Sequence, residues 1–184
     1  MHHSTFRSNG VRYRIEVGTG SEFETEITSI VDFLELRAHV KKRFLRSNLP
    51  RTRLLAVAYS GNQIVAVCAL KGTNTTYSRA ISSKSGFFLS DDAAELGYAA
   101  TDEAHRRRGL GGHLNSEILT RAPKALYATC RVGNASEERI LTASGFRPVG
   151  SPWQADHTMI GVWVRDTGLR ATKNWGTVVR SRGA

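Results

Sequence analysis

Three consecutive arginines run straight into a glycine-rich turn at Arg106-Arg107-Arg108-Gly109-Leu110-Gly111-Gly112. Glycines let a backbone come close to a ligand. The first N–H groups of a helix that follows have no acceptor within the helix, and they face outward from its positive dipole end. Arginine adds charge and a fork of donors that matches phosphate oxygens. The chemistry this stretch points to is capture of a phosphate or pyrophosphate group. Two elements must hold it in place. Upstream, Glu95-Leu96-Gly97-Tyr98-Ala99-Ala100-Thr101 reads as a strand, with Asp102 to His105 as the loop leaving it. Downstream, Leu110, Leu114 and Ile118 recur every fourth residue beside Leu119. That is the apolar face of a helix, which Pro123 ends.

Two common phosphate sites do not fit. A nucleotide P-loop needs Gly-x-x-x-x-Gly-Lys-Ser/Thr, and no such run is present. A dinucleotide fingerprint accepts Gly109 and Gly111, but Leu114 stands where its third glycine belongs, and no acidic residue near position 130 takes a ribose hydroxyl. The pattern Arg-x-x-Gly-x-Gly from Arg106 to Gly111 instead resembles the acyl-CoA pyrophosphate loop of the GNAT superfamily of N-acyltransferases. Three further matches follow in the family's order. Leu96 to Asp102 looks like the family's fourth strand, Asn134 follows a second apolar strand, and Gly145-Phe146 closes the next helix. The resemblance spans residues 95–150; residues 1–90 add a compatible pattern.

The resemblance implies a mixed α+β fold whose mostly antiparallel sheet splays after its fourth strand, with flanking helices. It implies acetyl-CoA as acyl donor, bound at Arg106, Arg107, Arg108, Gly109, Leu110, Gly111 and Gly112. Backbone groups of Ala99, Ala100 and Thr101 would hydrogen-bond the pantetheine arm as a ligand adds to a strand edge. One of those N–H groups would serve as an oxyanion donor. Asn134 matches the asparagine that contacts the same arm, and it also suits the N-cap of the helix it opens.

Glu95 matches the catalytic glutamate of the family's histone-acetylating branch. The need for such a base depends on the acceptor. A lysine amine of pKa about 10.4 is only about 0.04% neutral at pH 7, a cost of roughly 4.6 kcal/mol, whereas an α-amine costs only about 1 to 1.4 kcal/mol. The tyrosine acid that the family often places four residues before the Gly of Gly-Phe is replaced by Leu141. A thiolate of pKa near 8.5 departs with modest help. Tyr98, Tyr127, Cys130 and His113 are the substitutes in the sequence, and Tyr98 joins Glu95 as a catalytic candidate.

A chain of 184 residues, 40% of them hydrophobic, fits one core. The expected division is a single domain over 1–165 and a basic tail over 166–184, which is either disordered or docked through Trp175. No apolar run approaches the length of a membrane span, and no signal pattern opens the chain, so a cytoplasmic setting is expected. Cys68 and Cys130 sit in apolar strand-like runs and read as core residues rather than a disulfide or metal pair. No metal is expected. The net charge of +10 serves an anionic cofactor in part. The remainder, at Lys41, Lys42, Arg43, Arg46, Arg51, Arg53 and the tail, fits RNA or tRNA contact or a solvated basic surface.

The other elements follow in order. Val11 to Val17 alternates as the first strand. Ser21 and Glu24 form a capping box ahead of helical spacing from Ile27 to Leu45, in one helix or two, broken at Pro50. Leu54 to Tyr59 and Gln63 to Leu70 pair around Gly61-Asn62. Gly72 to Ser90, rich in Ser and Thr, reads as a loop with one short strand at Gly86 to Leu89. Ala125 to Arg131 is a strand, Asn134 to Ser144 a helix ended by Gly145. Phe146 to Val149 and Thr158 to Val164 pair around a turn from Gly150 to Asp156. The acceptor is a small-molecule amine, a protein amine or aminoacyl-tRNA, and a homodimer is open. The alternative class is a non-catalytic acyl-CoA sensor or nucleic-acid-binding module.

Overall fold

Alternating apolar residues make Val11–Gly18 a strand buried on one side, and continuous apolar runs make Leu54–Ser60 and Gln63–Leu70 strands buried on both. The structure is a computed structural model that describes residues 1–38, 40–122 and 125–166. Eight strands, β1 (His2–Ser8), β2 (Val11–Gly18), β3 (Leu54–Ser60), β4 (Gln63–Leu70), β5 (Ala94–Thr101), β6 (Ala125–Arg131), β7 (Arg147–Ala155) and β8 (Thr158–Asp166), form one sheet. Its order is β1-β2-β3-β4-β5-β6-β8-β7. Every neighbouring pair is antiparallel except β5 with β6.

Five helices cover the sheet: α1 (Ile27–Ala38), α2 (Lys42–Asn48), α3 (Thr75–Ser85), α4 (Leu110–Leu119) and α5 (Ala135–Ala143). On one face Leu110, Leu114 and Ile118 of α4 and Leu141 of α5 meet Ile15, Ala66, Leu96 and Leu126. Each of those three α4 side chains is at most 1% exposed, so truncating any one to alanine costs about 2–5 kcal/mol. On the other face α1 packs on β4 and β5, with Ile30, Val31 and Leu34 against Leu55, Val57 and Val67. Farther along that face α3 packs on β7 and β8, with Ile81 beside Tyr127, Val162 and Val164. Ala94 and Leu96 point toward α4, so Glu95 between them points into the strip between α1 and α3.

The sheet opens where the resemblance implied. β5 and β6 pair only at Ala94–Leu126, Glu95–Tyr127 and Leu96–Ala128. β5 stays bonded to β4 as far as Thr101, and β6 to β8 as far as Arg131. Beyond Leu96 the two strands part. The strand expected to be fourth is fifth in chain order, because residues 2–8 add β1. It pairs with β2 along its full length, around the turn at Asn9-Gly10.

Other expectations change at the boundaries. The capping box uses Thr19 and Glu22 rather than Ser21 and Glu24. The segment from Ile27 to Leu45 is two helices, α1 and α2. Gly72 to Ser90 is not a loop with a strand. It holds α3, capped by Asn74, whose side chain accepts from Tyr77 N, and closed by Gly86 at φ +68°. β7 runs past Gly150 to Ala155, so the turn is tighter than expected, at Asp156-His157. β8 reaches Asp166, one residue into the expected tail. Pro123 and residues 167–184, including Trp175, lie outside the described residues.

Candidate active site

The phosphate end is built on backbone. Arg107 (φ +58°) and Gly109 (φ +79°) turn the chain twice through the left-handed region before α4 begins. Only glycine adopts that region without penalty, and Gly109 is the N-cap of α4. His113 N donates to the Gly109 carbonyl at 3.0 Å, so the helical ladder starts there. The N–H groups of Leu110, Gly111 and Gly112 therefore have no acceptor within the helix. They face a cleft of about 1470 Å³ lined by Arg106, Arg107, Gly109, Gly111, Gly112 and Asn134, and by Ala99, Ala100 and Thr101 of β5. Asn134 also caps α5 by accepting from Glu137 N at 3.3 Å. The cap is as expected, and the same residue lines the cleft.

The loop is tied to α1 by an ion pair. Arg37, at the end of α1, stacks over Phe33 and donates through Nε to Asp102 Oδ2 at 3.0 Å, with a second contact from its terminal nitrogen. Asp102 also accepts from Ala104 N at 3.1 Å, closing the turn that leads into the arginines. The guanidinium holds the Asp102 carboxyl below its ordinary range.

Inside the splay β5 carries a bulge. Val67 pairs with Ala100 and Ala69 with Gly97, so Tyr98 and Ala99 together oppose Cys68. Tyr98 sits at φ +50°, and the bulge releases backbone groups from the ladder at the point where the strands part. On the α1–α3 face below it, Glu95 is 5% exposed. Its Oε1 is 2.9 Å from Lys71 Nζ and 3.4 Å from the Thr129 hydroxyl. Lys71 Nζ lies 4.3 Å from the centroid of the Tyr98 ring. Tyr77 of α3 joins this group: burial first, then the Glu95 charge, push its hydroxyl up to about 12. At neutral pH it is a hydrogen-bond donor.

The sequence matches the family described as Acetyltransferase (GNAT) family over residues 22–146. The chain belongs to this family. Solved structures agree on the fold. A GNAT acetyltransferase from Streptococcus agalactiae shares a TM-score of 0.63 at 13% identity, over 89% of this chain and 99% of that one. One from Elizabethkingia anophelis, solved with acetyl-CoA bound, gives 0.59 at 17% identity, over 84% and 97%. The IAA acetyltransferase from Bacillus cereus gives 0.57 at 14%, over 83% and 98%. No curated protein matched the sequence.

Within this GNAT domain most expected site residues gather as two groups. The cofactor candidates line the cleft, except that Arg108 does not, and Leu110 turns its side chain into the core at 1% exposure and offers only backbone. Glu95 and Tyr98 lie at the apex of the splay rather than on the cleft wall. The substitute acids fare differently. Tyr127 is buried, and burial raises its hydroxyl further. Burial also pushes the Cys130 thiol up to about 11. His113 stacks on Phe6 at 4.4 Å as a helix-face residue. Leu141 is a core residue, 1% exposed.

Sequence reasoning missed Lys71, Tyr77, Arg37, Arg139 and Arg165. The last three line the cleft from α1, α5 and β8, and no spacing along the chain links them to the arginine run. Glu137 lines it too, and burial raises its carboxyl. Among the described residues no group of three or more His, Cys, Asp or Glu could hold a metal ion, and no helix is long and apolar enough to cross a membrane.

Proposed function

We propose that this GNAT acetyltransferase moves an acetyl group from acetyl-CoA directly to a primary amine. The observation that carries the reading is the splay. A cleft that starts at the free N–H groups of α4 runs along β5 from Thr101 to Ala99, and Glu95, with Lys71 beside it, lies farther back on that strand, among the last residues paired with β6. Arg106, Arg107 and the α4 N-terminus would hold the pyrophosphate. Backbone from Tyr98 to Thr101 would hold the pantetheine arm as an added strand, and a released bulge N–H would donate to the thioester oxygen as charge develops. Glu95 takes the amine proton as general base, a contribution of about 10²–10⁴-fold. The departing thiolate draws on the Tyr77 and Tyr98 hydroxyls or on water, since Leu141 supplies no proton.

The acceptor class is argued from charge. Lys41, Arg43, Arg46, Arg51 and Arg53 are exposed, as is Phe44, whose ring Arg43 stacks over at 4.7 Å. Arg53 N donates to the Leu70 carbonyl, which sets that patch next to Lys71 and the acceptor side of the sheet. Cations interleaved with an aromatic ring suit RNA, so an amine presented on RNA, as on aminoacyl-tRNA, is favoured over a protein amine or a free small molecule. The free thiols of Cys68 and Cys130 fit a reducing, cytoplasmic setting. The buried Leu141 favours a second reading, an acyl-CoA sensor without turnover.

The test is thiol release from acetyl-CoA against separate pools of charged tRNA, peptides, polyamines and other small amines. Turnover with charged tRNA that falls steeply with salt supports the full reading. Turnover with another pool keeps the enzyme and replaces the acceptor. Binding of CoA with no turnover in any pool favours the sensor.

A further inference from the structure

Lys71 stands beside Glu95, where the proposed reaction brings the acetyl group. Its backbone N–H donates to the Glu95 carbonyl at 2.8 Å, just past the end of β4. Its side chain then lies along β5 over Gly97, where a methyl group would meet Lys71 Cε at 3.1 Å and Nζ at 3.3 Å. Gly97 is the first β5 residue beyond Leu96, the last one paired with β6. The amine therefore occupies the apex of the splay. There it is 2.9 Å from the Glu95 carboxylate, and the side chain keeps 25% exposure. A primary amine, a carboxylate to take its proton and a bulge with free backbone groups are assembled before any acceptor enters.

We propose that Lys71 is itself an acetyl acceptor: with acetyl-CoA bound and no other amine in the strip, the chain acetylates its own Lys71. The inference rests on the reading above, with the thioester at the splay. The Lys71 ammonium gives a proton to Glu95, which passes it to solvent. The freed Nζ lone pair attacks the thioester carbonyl carbon and forms the C–N bond. Collapse of the tetrahedral intermediate breaks the C–S bond, and the thiolate leaves with that electron pair and takes up a second proton from the nitrogen. The products are an Nζ-acetyl amide, CoA thiol and one proton released to solvent.

The modification removes the cation beside a carboxylate that is 5% exposed, and the enlarged side chain fills the space over Gly97 that an outside amine needs. Self-acetylation thus closes the site when acetyl-CoA is present without an acceptor, and a bound acceptor protects Lys71 by occupying the same strip.

The test is incubation of the 184-residue chain with acetyl-CoA alone at neutral pH, followed by intact and peptide mass spectrometry. One added acetyl group, mapped to Lys71, is expected. Lys71→Arg should lose it, and Glu95→Gln should slow it by about 100-fold or more, with melting curves showing that both variants fold. Mapping on the unaltered chain decides the matter even if a variant does not fold. Acetyl groups spread over exposed Lys41 and Lys84 at the rate of Lys71 would overturn the proposal. So would no addition while acetyl-CoA still raises the melting temperature, a result that leaves the acetyltransferase reading standing. No thermal shift with acetyl-CoA would overturn both.

Discussion

Glu95, the proposed base, and Asp102 are each held by a cation the linear sequence does not place beside them. Replacing Glu95 with Gln keeps the shape and a weak acceptor but removes the proposed base. Turnover with the best acceptor should fall about 10²–10⁴-fold near neutral pH, measured as thiol release across a pH series. A parent-like profile in the variant would remove Glu95 from the mechanism. Asp102→Asn can keep the acceptor for Ala104 N, but it replaces the oxygen that Arg37 binds with an amide nitrogen, so the charge and that acceptor are lost together. Because the folded carboxyl titrates lower than the unfolded one, its contribution is complete above the unfolded value near 3.9 and fades as pH falls through the lower folded value. The native chain should exceed the variant by up to about 1 kcal/mol from pH 5 to 7, and the margin should close below about pH 4 in thermal melts. Glu95 and Arg106 were legible because they sit at fixed distances along one strand–loop–helix unit. Lys71 reaches Glu95 from the end of the neighbouring strand and Arg37 reaches Asp102 from α1, contacts that spacing does not record.

At the scale of elements the clearest lesson is α3. Its buried face is Ser78, Ile81 and Ser85, so two small polar residues take positions where apolar ones would have revealed the period. Those serines turn their hydroxyls back to carbonyls of the preceding turn, Ser78 Oγ to Thr75 at 3.1 Å and Ser85 Oγ to Ile81 at 2.8 Å, which lets them be buried. Asn74 and Gly86 were its readable signals, an N-cap and a left-handed end. The helix docks through Gly150 of β7, where a Cβ would come 2.4 Å from the Ser85 carbonyl and where φ is +64°. Gly150→Ala should cost more than about 2 kcal/mol and lower turnover with it, because α3 carries Tyr77 toward Glu95. A variant that melts with the parent in denaturant titrations would show that α3 shifts without strain. By contrast α5 was read within a residue at each end and α4 within a residue at its start, since their apolar spacing, caps and closing glycine agree, whereas α4 ends at Leu119, ahead of the stop read at Pro123.

Over the whole molecule, CoA should act as a stabiliser as well as a substrate. At about 100 times its Kd it should add about 2.7 kcal/mol, read as a rise in melting temperature, and neither NAD nor ATP should match it. Arg106→Ala with Arg107→Ala should remove most of that gain. Arg107 rather than Arg108 belongs in the pair, because Arg107 lines the cleft. An undiminished shift in the double variant would move the pyrophosphate elsewhere.

The parting of β5 from β6 also leaves two unpaired strand margins in the middle of an eight-stranded sheet, a place where most sheets have none. Free margins recruit strands from other molecules, and a cofactor arm laid along one of them is in effect a ninth strand that fills the gap. The empty protein should then be the sticky form. On slow heating, light scattering should begin at a lower temperature without CoA than with it, by more than the difference in melting temperature accounts for. Cells that hold this protein well supplied with acetyl-CoA would be keeping it dispersed as well as loaded.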